Sequence, residues 1–203
     1  MAMAPHRPLV IACGALASEL RAVLEAHHLG NEVEVRYLPA HFHNRPERIV
    51  PAVESLLAGA GDRQAFVAYA DCGTGGQLDA MLARHPGVER LQGAHCYEVF
   101  AGPTLFAELH SEEPGTFFLT DFLARHFDAL VWQGLGIDRH PQLRDMYFAN
   151  YRRVVLLTQS DDPTVVTAGR RAAERLSVTF EHRHVGRCGL NPAVAVVVGR
   201  SAA

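Results

Sequence analysis

The sequence predicts an α/β protein with an open, largely parallel, doubly wound (Rossmann-like) sheet and a helical insertion. Short apolar runs of strand length alternate with segments in which apolar residues recur at helical spacing. Such alternation favours a parallel sheet, because each crossover helix returns the chain to the same end of the sheet and covers one of its faces. We expect a single α/β domain over residues 1–203.

Six segments have the pattern of strands. Pro8–Ala12 is a short apolar run, and Asn31–Leu38 alternates charged with apolar residues, as a strand with one solvated face does. The other four predicted strands are Ala65–Ala70, Val88–Leu91, Arg153–Thr158 and Val178–His182.

Helical spacing fills the intervals between these strands. Apolar residues recur in this way from Leu16 to Leu24, from Pro46 to Ala58 and from Leu78 onwards. Asp162-Pro163 is a typical helix start, and the helix that follows runs to about Leu176. Residues 103–151 are mostly of helical pattern, and we interpret them as a helical excursion within the sheet.

Composition excludes several classes of protein. All 19 basic residues are arginines, so no lysine is present to act as a Schiff base, a phosphate-loop residue or a general base. The net charge of −3 and the scattered arginines argue against a nucleic-acid partner. The apolar run Ala193–Val198 is far shorter than the roughly 18 to 20 residues that span a bilayer, so we expect no membrane anchor. Four cysteines without a signal peptide predict reduced thiols in the cytoplasm.

Three cysteines carry the main chemical signal. Cys13, Cys72 and Cys96 each follow a predicted strand and precede a predicted helix. Because the carboxyl ends of parallel strands share one edge of a sheet, we expect the three thiols to converge there. The dipole and the free N–H groups of a helix N-terminus favour thiolates, which suits metal ligation or nucleophilic chemistry. The alternative is that each cysteine is a small buried apolar residue.

Converging thiolates predict a soft metal centre, either an iron–sulfur cluster or zinc, with one open coordination position. The fourth ligand would be His95, His43, water or a small-molecule substrate. The chain has no C-x-x-C pair, so the fold must assemble the ligands. Asp71-Cys72 together with His95 also allows a metal-free hydrolase or transferase in which Cys72 is a nucleophile activated by a neighbouring base. Cys188 is interpreted as structural or incidental.

Glycines and the loop after the second strand supply further candidates. We expect four glycines to contact a cofactor, because glycine lets the backbone approach a bulky group; they are Gly14, Gly73, Gly75 and Gly76. The N–H groups of residues 73–76 could also hold a carboxylate or phosphate. A dinucleotide fingerprint would need glycine at Leu78, so nucleotide binding is disfavoured. His43 is a site candidate or a hydrogen-bonding loop residue, and Arg45 and Arg48 beside it suit a small anionic substrate.

A set of short motifs resembles a known family in order and spacing. They are Cys13-Gly14, Leu38-Pro39, His43-Asn44, Pro46-Glu47, Tyr69, Cys72-Gly73, Gly75, His95-Cys96, Gly102, Gly115-Thr116 and Thr120. With them the chain, from about residue 8 to 180, resembles the bacterial and archaeal family catalogued as domain of unknown function 1638. Members read nearer to Y-G-L-C-G-N-G and H-D-C where this chain has YADCGTG and AHC.

The resemblance implies a role beside corrinoid proteins and methylamine-type methyltransferases in one-carbon metabolism. The protein would be an enzyme or an accessory factor there, and its three cysteines would belong to the motif set. A non-catalytic module that binds or delivers a corrinoid is the alternative. This implication rests on association and not on mechanism. A homo-oligomer stays open.

Overall fold

The computed structural model describes residues 7–191. The chain divides into two compact units, of which the first comprises the residues up to Cys96 together with those from Leu190, and the second is Tyr97–Gly189. Each unit contains one sheet, and all paired strands run parallel. The predicted α/β class with parallel strands is therefore confirmed, although the strands form two sheets and not one. The apolar run at 193–198 lies outside the described residues.

The first unit has a four-stranded sheet with helices between its strands. Its elements are β1 (Leu9–Cys13), α1 (Ala17–Ala26), β2 (Glu34–Leu38), α2 (Ile49–Ala58), β3 (Ala65–Ala68), α3 (Gln77–Leu82) and β4 (Glu89–Arg90). The strand order is β2-β1-β3-β4. Three 3-10 segments precede helices, at Gly14–Leu16, Ala40–Asn44 and Pro46–Arg48.

Burial explains which strands lie at the centre of this sheet. β3 is buried along its whole length and β1 along all but its last residue, as expected of parallel strands covered on both faces. β2 pairs only with β1, and it exposes Arg36 and Tyr37. Side chains of β1, β3, α2 and α3 share one buried cluster. The chain leaves β1 at Cys13 and β3 at Tyr69, so both residues lie at the carboxyl edge.

The second unit has a three-stranded sheet in the order β5-β6-β7. Its strands are β5 (Thr116–Thr120), β6 (Arg153–Thr158) and β7 (Thr179–His184). The helices from the unit boundary onwards are α4 (Cys96–Ala101), α5 (Pro103–Glu112), α6 (Asp121–Arg125), α7 (Gln142–Phe148) and α8 (Pro163–Leu176). A π-helical segment runs over Asp128–Gln133.

The interpretation of residues 103–151 as a helical excursion is wrong at Thr116–Thr120, which is β5 and pairs with β6 in parallel. Four of its five residues are buried, so the strand has no alternation of polar and apolar residues that would separate it from the helices around it. The rest of the stretch is helical as predicted, with α5, α6 and α7.

The predicted bounds of the helix after β6 are confirmed by α8. The Asp162 side chain accepts a hydrogen bond from the Thr164 N–H, and Pro163 occupies the first turn, where its missing N–H costs nothing. The helix ends before Ser177, which adopts a left-handed conformation. None of the helices within residues 7–191 has the length and apolar character needed to cross a membrane.

Candidate functional site

A cavity of about 30 Å³ lies at the carboxyl edge of the sheet in the first unit. Its polar lining comes from four separate stretches of the chain, and we call it the cysteine cavity. The lining residues are Cys13, Ala15, Leu16, His43, Ile49, Ala68, Tyr69, Ala70, Cys72 and Cys96. The structure thus brings the three predicted cysteines and His43 to one cavity. Whether they act as ligands stays a prediction.

Cys13 lies at the cavity because it is the last residue of β1. β1 and β2 end at the same level of the sheet. The strands are in register, with Cys13 opposite Leu38. A Cβ atom at Gly14 would lie 2.9 Å from the Leu38 carbonyl oxygen, so only glycine permits this close approach of the backbones. Gly14, which we expected to contact a cofactor, therefore has a packing role beside Cys13 in this structure.

Cys72 has an unusual backbone conformation. Its φ of 50° lies in the left-handed region, which costs a residue with a Cβ about 1–2 kcal/mol. Backbone hydrogen bonds hold it there: the Asp71 N–H donates to the Gly93 carbonyl at 3.1 Å, and the Cys72 N–H donates to the Ala94 carbonyl at 2.8 Å. These bonds also join the loop after β3 to the segment that carries Cys96. Retained strain of this kind clusters at functional sites.

The loop after Cys72 is organised by its own carboxylate. The Asp71 side chain accepts hydrogen bonds from the Thr74 hydroxyl at 2.7 Å and from the N–H groups of Gly75 at 3.1 Å and Gly76 at 2.8 Å. Although burial alone would raise the pKa of Asp71, the hydrogen bonds from Gly76, Thr74 and Gly75 lower it. The glycine-rich loop does bind a carboxylate, as its pattern suggested, but the carboxylate is internal.

This internal contact changes the interpretation of the predicted cofactor-binding glycines. The N–H groups of Gly75 and Gly76 already have an anionic partner in Asp71, so neither is open to an external phosphate in this structure. A Cβ atom at Gly73 would lie 3.5 Å from the Pro46 ring, which is ordinary contact. The loop positions Cys72, and its glycines permit the turn that does so.

Two half-buried thiols of the cavity have raised pKa values, which favour their protonated forms at neutral pH. Burial raises the pKa of Cys13, and the Ala15 N–H and the Tyr69 hydroxyl lower it less. Burial is the main cause that raises the pKa of Cys72 to about 12, and the nearby Cys13 is the second. A hydrogen bond from the Cys96 N–H lowers this pKa, but by less. The expectation that helix starts would favour thiolates is therefore wrong for these two residues, because desolvation outweighs the N–H groups.

Tyr69 is the functional candidate that the sequence analysis did not single out. Its side chain is only 2% exposed and lines the cavity, and its hydroxyl has no hydrogen-bond partner of ordinary geometry among residues 7–191. Burial is the largest cause that raises the pKa of Tyr69. The negative charge that Cys13 or Cys72 would carry as a thiolate raises it further, and so does the contact of Tyr69 with Cys13. Two signals in the sequence indicated it: its place in the family motif set, and a phenol near the end of the apolar run AFVAYA, three residues before Cys72.

His43 lines the cavity while part of its side chain remains at the surface. Burial of its ring lowers the pKa of His43, and the charge on nearby His95 lowers it further. His43 is therefore neutral at neutral pH, the form that accepts a proton or a metal ion. His95 does not line the cavity. Its effect there is to lower the pKa of His43, which does line it.

The remaining candidates lie elsewhere. Arg45 and Arg48 are exposed on either side of Pro46-Glu47, and their binding of an anionic substrate stays a prediction. Cys188 belongs to the second unit, in the 3-10 segment Cys188–Leu190.

Comparison with known proteins identifies the family. A family model described as a protein of unknown function, DUF1638, matches residues 37–191, which is more than half of the chain. The chain belongs to the DUF1638 family. Within the matched range lie His43, Tyr69, Cys72 and Cys96, whereas Cys13 precedes it. The comparisons find no matching curated protein and no matching solved structure.

Thiol and imidazole side chains line the cysteine cavity of this DUF1638 member. Among residues 7–191, no group of three or more His, Cys, Asp or Glu side chains has an arrangement that would hold a metal ion. Binding would require the thiols to lose their protons and their side chains to turn towards a common point. The volume of about 30 Å³ suits a guest of one or two atoms.

Proposed function

We propose that this DUF1638 protein binds a single thiophilic metal ion through Cys13, Cys72 and Cys96, with His43 nearby. The observation that supports this is the meeting of three cysteines from separate chain segments at one cavity of about 30 Å³. Soft thiolates select zinc, copper(I) or iron–sulfur clusters over hard cations. The size of the cavity favours one ion, such as zinc, over an iron–sulfur cluster.

The protonated thiols determine how binding depends on pH. A metal ion must displace the protons of Cys13 and Cys72, whose pKa values are raised by burial. Affinity therefore increases as pH rises, and each bound ion releases protons. His43, already neutral, loses no proton on binding.

The proposed role follows from the open position and from the family. An ion held by three cysteines retains a position at which it acts as a Lewis acid towards a substrate thiolate or a cobalt-bound group. We place the protein in the cytoplasm, where thiols stay reduced. There it would serve, as an enzyme or an accessory factor, in corrinoid-linked one-carbon or methylamine metabolism, acting on a small-molecule substrate with a corrinoid protein or methyltransferase as partner.

Titration with Co²⁺ or Cd²⁺ tests the site. Reduced, metal-free protein should bind one ion per chain and develop thiolate-to-metal charge-transfer absorption. Cys72→Ser should weaken the absorption, and Cys188→Ser, which changes the cysteine of the other unit, should preserve it. Absence of the band, or an unchanged band in Cys72→Ser, would overturn the proposal.

The visible spectrum of anaerobically purified protein distinguishes the possible occupants. A colourless protein that contains one zinc per chain supports the single-ion site. An iron–sulfur chromophore would keep the cysteine ligands but contradict the single ion. A corrinoid spectrum without metal at the cysteines would favour the non-catalytic delivery module.

A second candidate function rests on the backbone at Cys72. In nucleophile elbows, the reactive residue occupies a strained turn between a strand and a helix, with small residues two positions before and after it. Cys72, with its φ of 50°, lies between β3 and α3, and Ala70 and Thr74 are its small flanking residues. Neutral His43 lines the same cavity and is a candidate base. This candidate is a metal-free hydrolase or transferase.

An activated ester separates this function from metal binding. Covalent acylation at Cys72, detected by mass spectrometry, should persist in the presence of a chelator and be lost in His43→Ala. No acylation of Cys72 at pH 8, or acylation that does not need His43, would contradict the nucleophile.

A further inference from the structure

We infer that Tyr69 is a positioning residue of the cysteine cavity, whose hydroxyl donates a hydrogen bond to a cysteine sulfur when that sulfur binds an ion as a thiolate. The inference rests on the proposed function and adds to it a residue outside the ligand set. Tyr69 would hold the thiolate in place and offset part of its charge, without touching the ion.

The first observation is a buried hydroxyl group in the cavity. The Tyr69 side chain is 2% exposed, and within the part of the chain that the structure describes its oxygen has no hydrogen-bond partner of ordinary geometry. Buried polar groups in proteins are nearly always paired, so each exception needs an explanation. A donor at the wall of a cavity gains its partner when the cavity contents supply an acceptor.

The second observation is the identity of its neighbours. Tyr69 interacts with Cys13 and Cys72, the two thiols whose protons a metal ion would displace. A thiol is a weak acceptor, whereas a thiolate carries a full charge and accepts a strong hydrogen bond. The contact between Tyr69 and Cys13 is therefore expected to strengthen on ionisation.

The third observation is that the ring is firmly held. Tyr69 belongs to the buried cluster that also contains Ile11, Ile49, Leu78 and Met81, from β1 and the helices on one face of the sheet. Packing on this scale fixes the direction of the hydroxyl. A donor fixed in this way reaches a sulfur at the cavity without an entropic cost of ordering, as hydrogen-bond partners around metal sites commonly do.

Tyr69→Phe tests the inference, because it removes the hydroxyl and keeps the ring. The matched control is Tyr37→Phe, which changes a 40%-exposed tyrosine of the same unit. In a Cd²⁺ titration against a competing chelator, Tyr69→Phe should bind about 10- to 100-fold more weakly than the wild type. Its binding should also shift to higher pH. Tyr37→Phe should match the wild type in both respects.

Stability measurements separate positioning from folding. Tyr69→Phe removes only the hydroxyl and leaves the metal-free fold intact. Without metal, the free energy of unfolding of this variant in urea should therefore equal that of the wild type. If Tyr69→Phe does not fold, the control variant Tyr37→Phe still tests the inference, because it retains Tyr69. Its tyrosine absorption should change when Cd²⁺ is added. Equal affinity of Tyr69→Phe and wild type, or no tyrosine perturbation, would overturn it. If the wild type itself binds no Cd²⁺, the proposed function fails instead.

Discussion

The reactivity of Cys72 is expected to be very low in the native, metal-free protein. The pKa of Cys72 is raised by burial from an ordinary value of 9.0 to about 12. Only the thiolate reacts with alkylating agents. At any pH below 9, the difference between the two pKa values reduces the thiolate fraction about 1000-fold relative to an unfolded cysteine.

The assay measures the rate of iodoacetamide labelling at Cys72 by mass spectrometry, in native protein with chelator and in urea-denatured protein. Steric shielding would also slow labelling, and the pH profile separates the two causes. If the pKa controls the rate, native labelling should keep rising about tenfold per pH unit above pH 9, where the denatured control levels off. A native rate that levels off near pH 9, or fast labelling at neutral pH, would refute the reasoning.

Three substitutions give further predictions. Asp71→Ala should lower the free energy of urea unfolding by about 0.5–1.5 kcal/mol, since it removes the acceptor of the loop N–H groups, and should weaken Cd²⁺ binding; unchanged values of both would contradict the positioning of the loop. Gly14→Ala should destabilise the metal-free protein by about 1–3 kcal/mol through its clash with the Leu38 carbonyl, and a thermal-melting midpoint equal to that of wild type would show that the backbone yields freely. Arg153→Ala should cost about 2–3 kcal/mol by urea unfolding, because it removes the 2.8 Å hydrogen bond to Glu181. Cd²⁺ affinity should be unchanged in Arg153→Ala, because this pair lies in the second unit.

The location of the candidate site followed from local patterns. Cys13 and Cys72 follow apolar strands, and parallel strands bring their carboxyl ends to one edge, so the meeting of these residues could be predicted from sequence. The same pattern identified the loop histidine that lines the cavity, His43. It also gave β6 with its observed bounds, Arg153–Thr158.

The rest depends on contacts that no local pattern encodes. The positions of the cysteines before helices suggested thiolates. The burial of Cys72, which is known only from the fold, raises its pKa and favours the thiol. The glycine-rich loop looked open to an external anion because nothing in its pattern shows Asp71 folding back onto it. Tyr69 was missed for a similar reason, since a tyrosine in a buried strand is a common core residue. β5 was missed because its residues are buried on both faces.

The sulfur ligands of the bound ion are the most direct test of the central claim that Cys13, Cys72 and Cys96 share one metal ion. X-ray absorption at the zinc edge counts those ligands in zinc-loaded protein. We predict three sulfur neighbours at about 2.3 Å, the usual zinc–thiolate distance, falling to two in Cys13→Ser. A shell of only nitrogen and oxygen neighbours, or one unchanged in Cys13→Ser, would contradict a centre built from these cysteines.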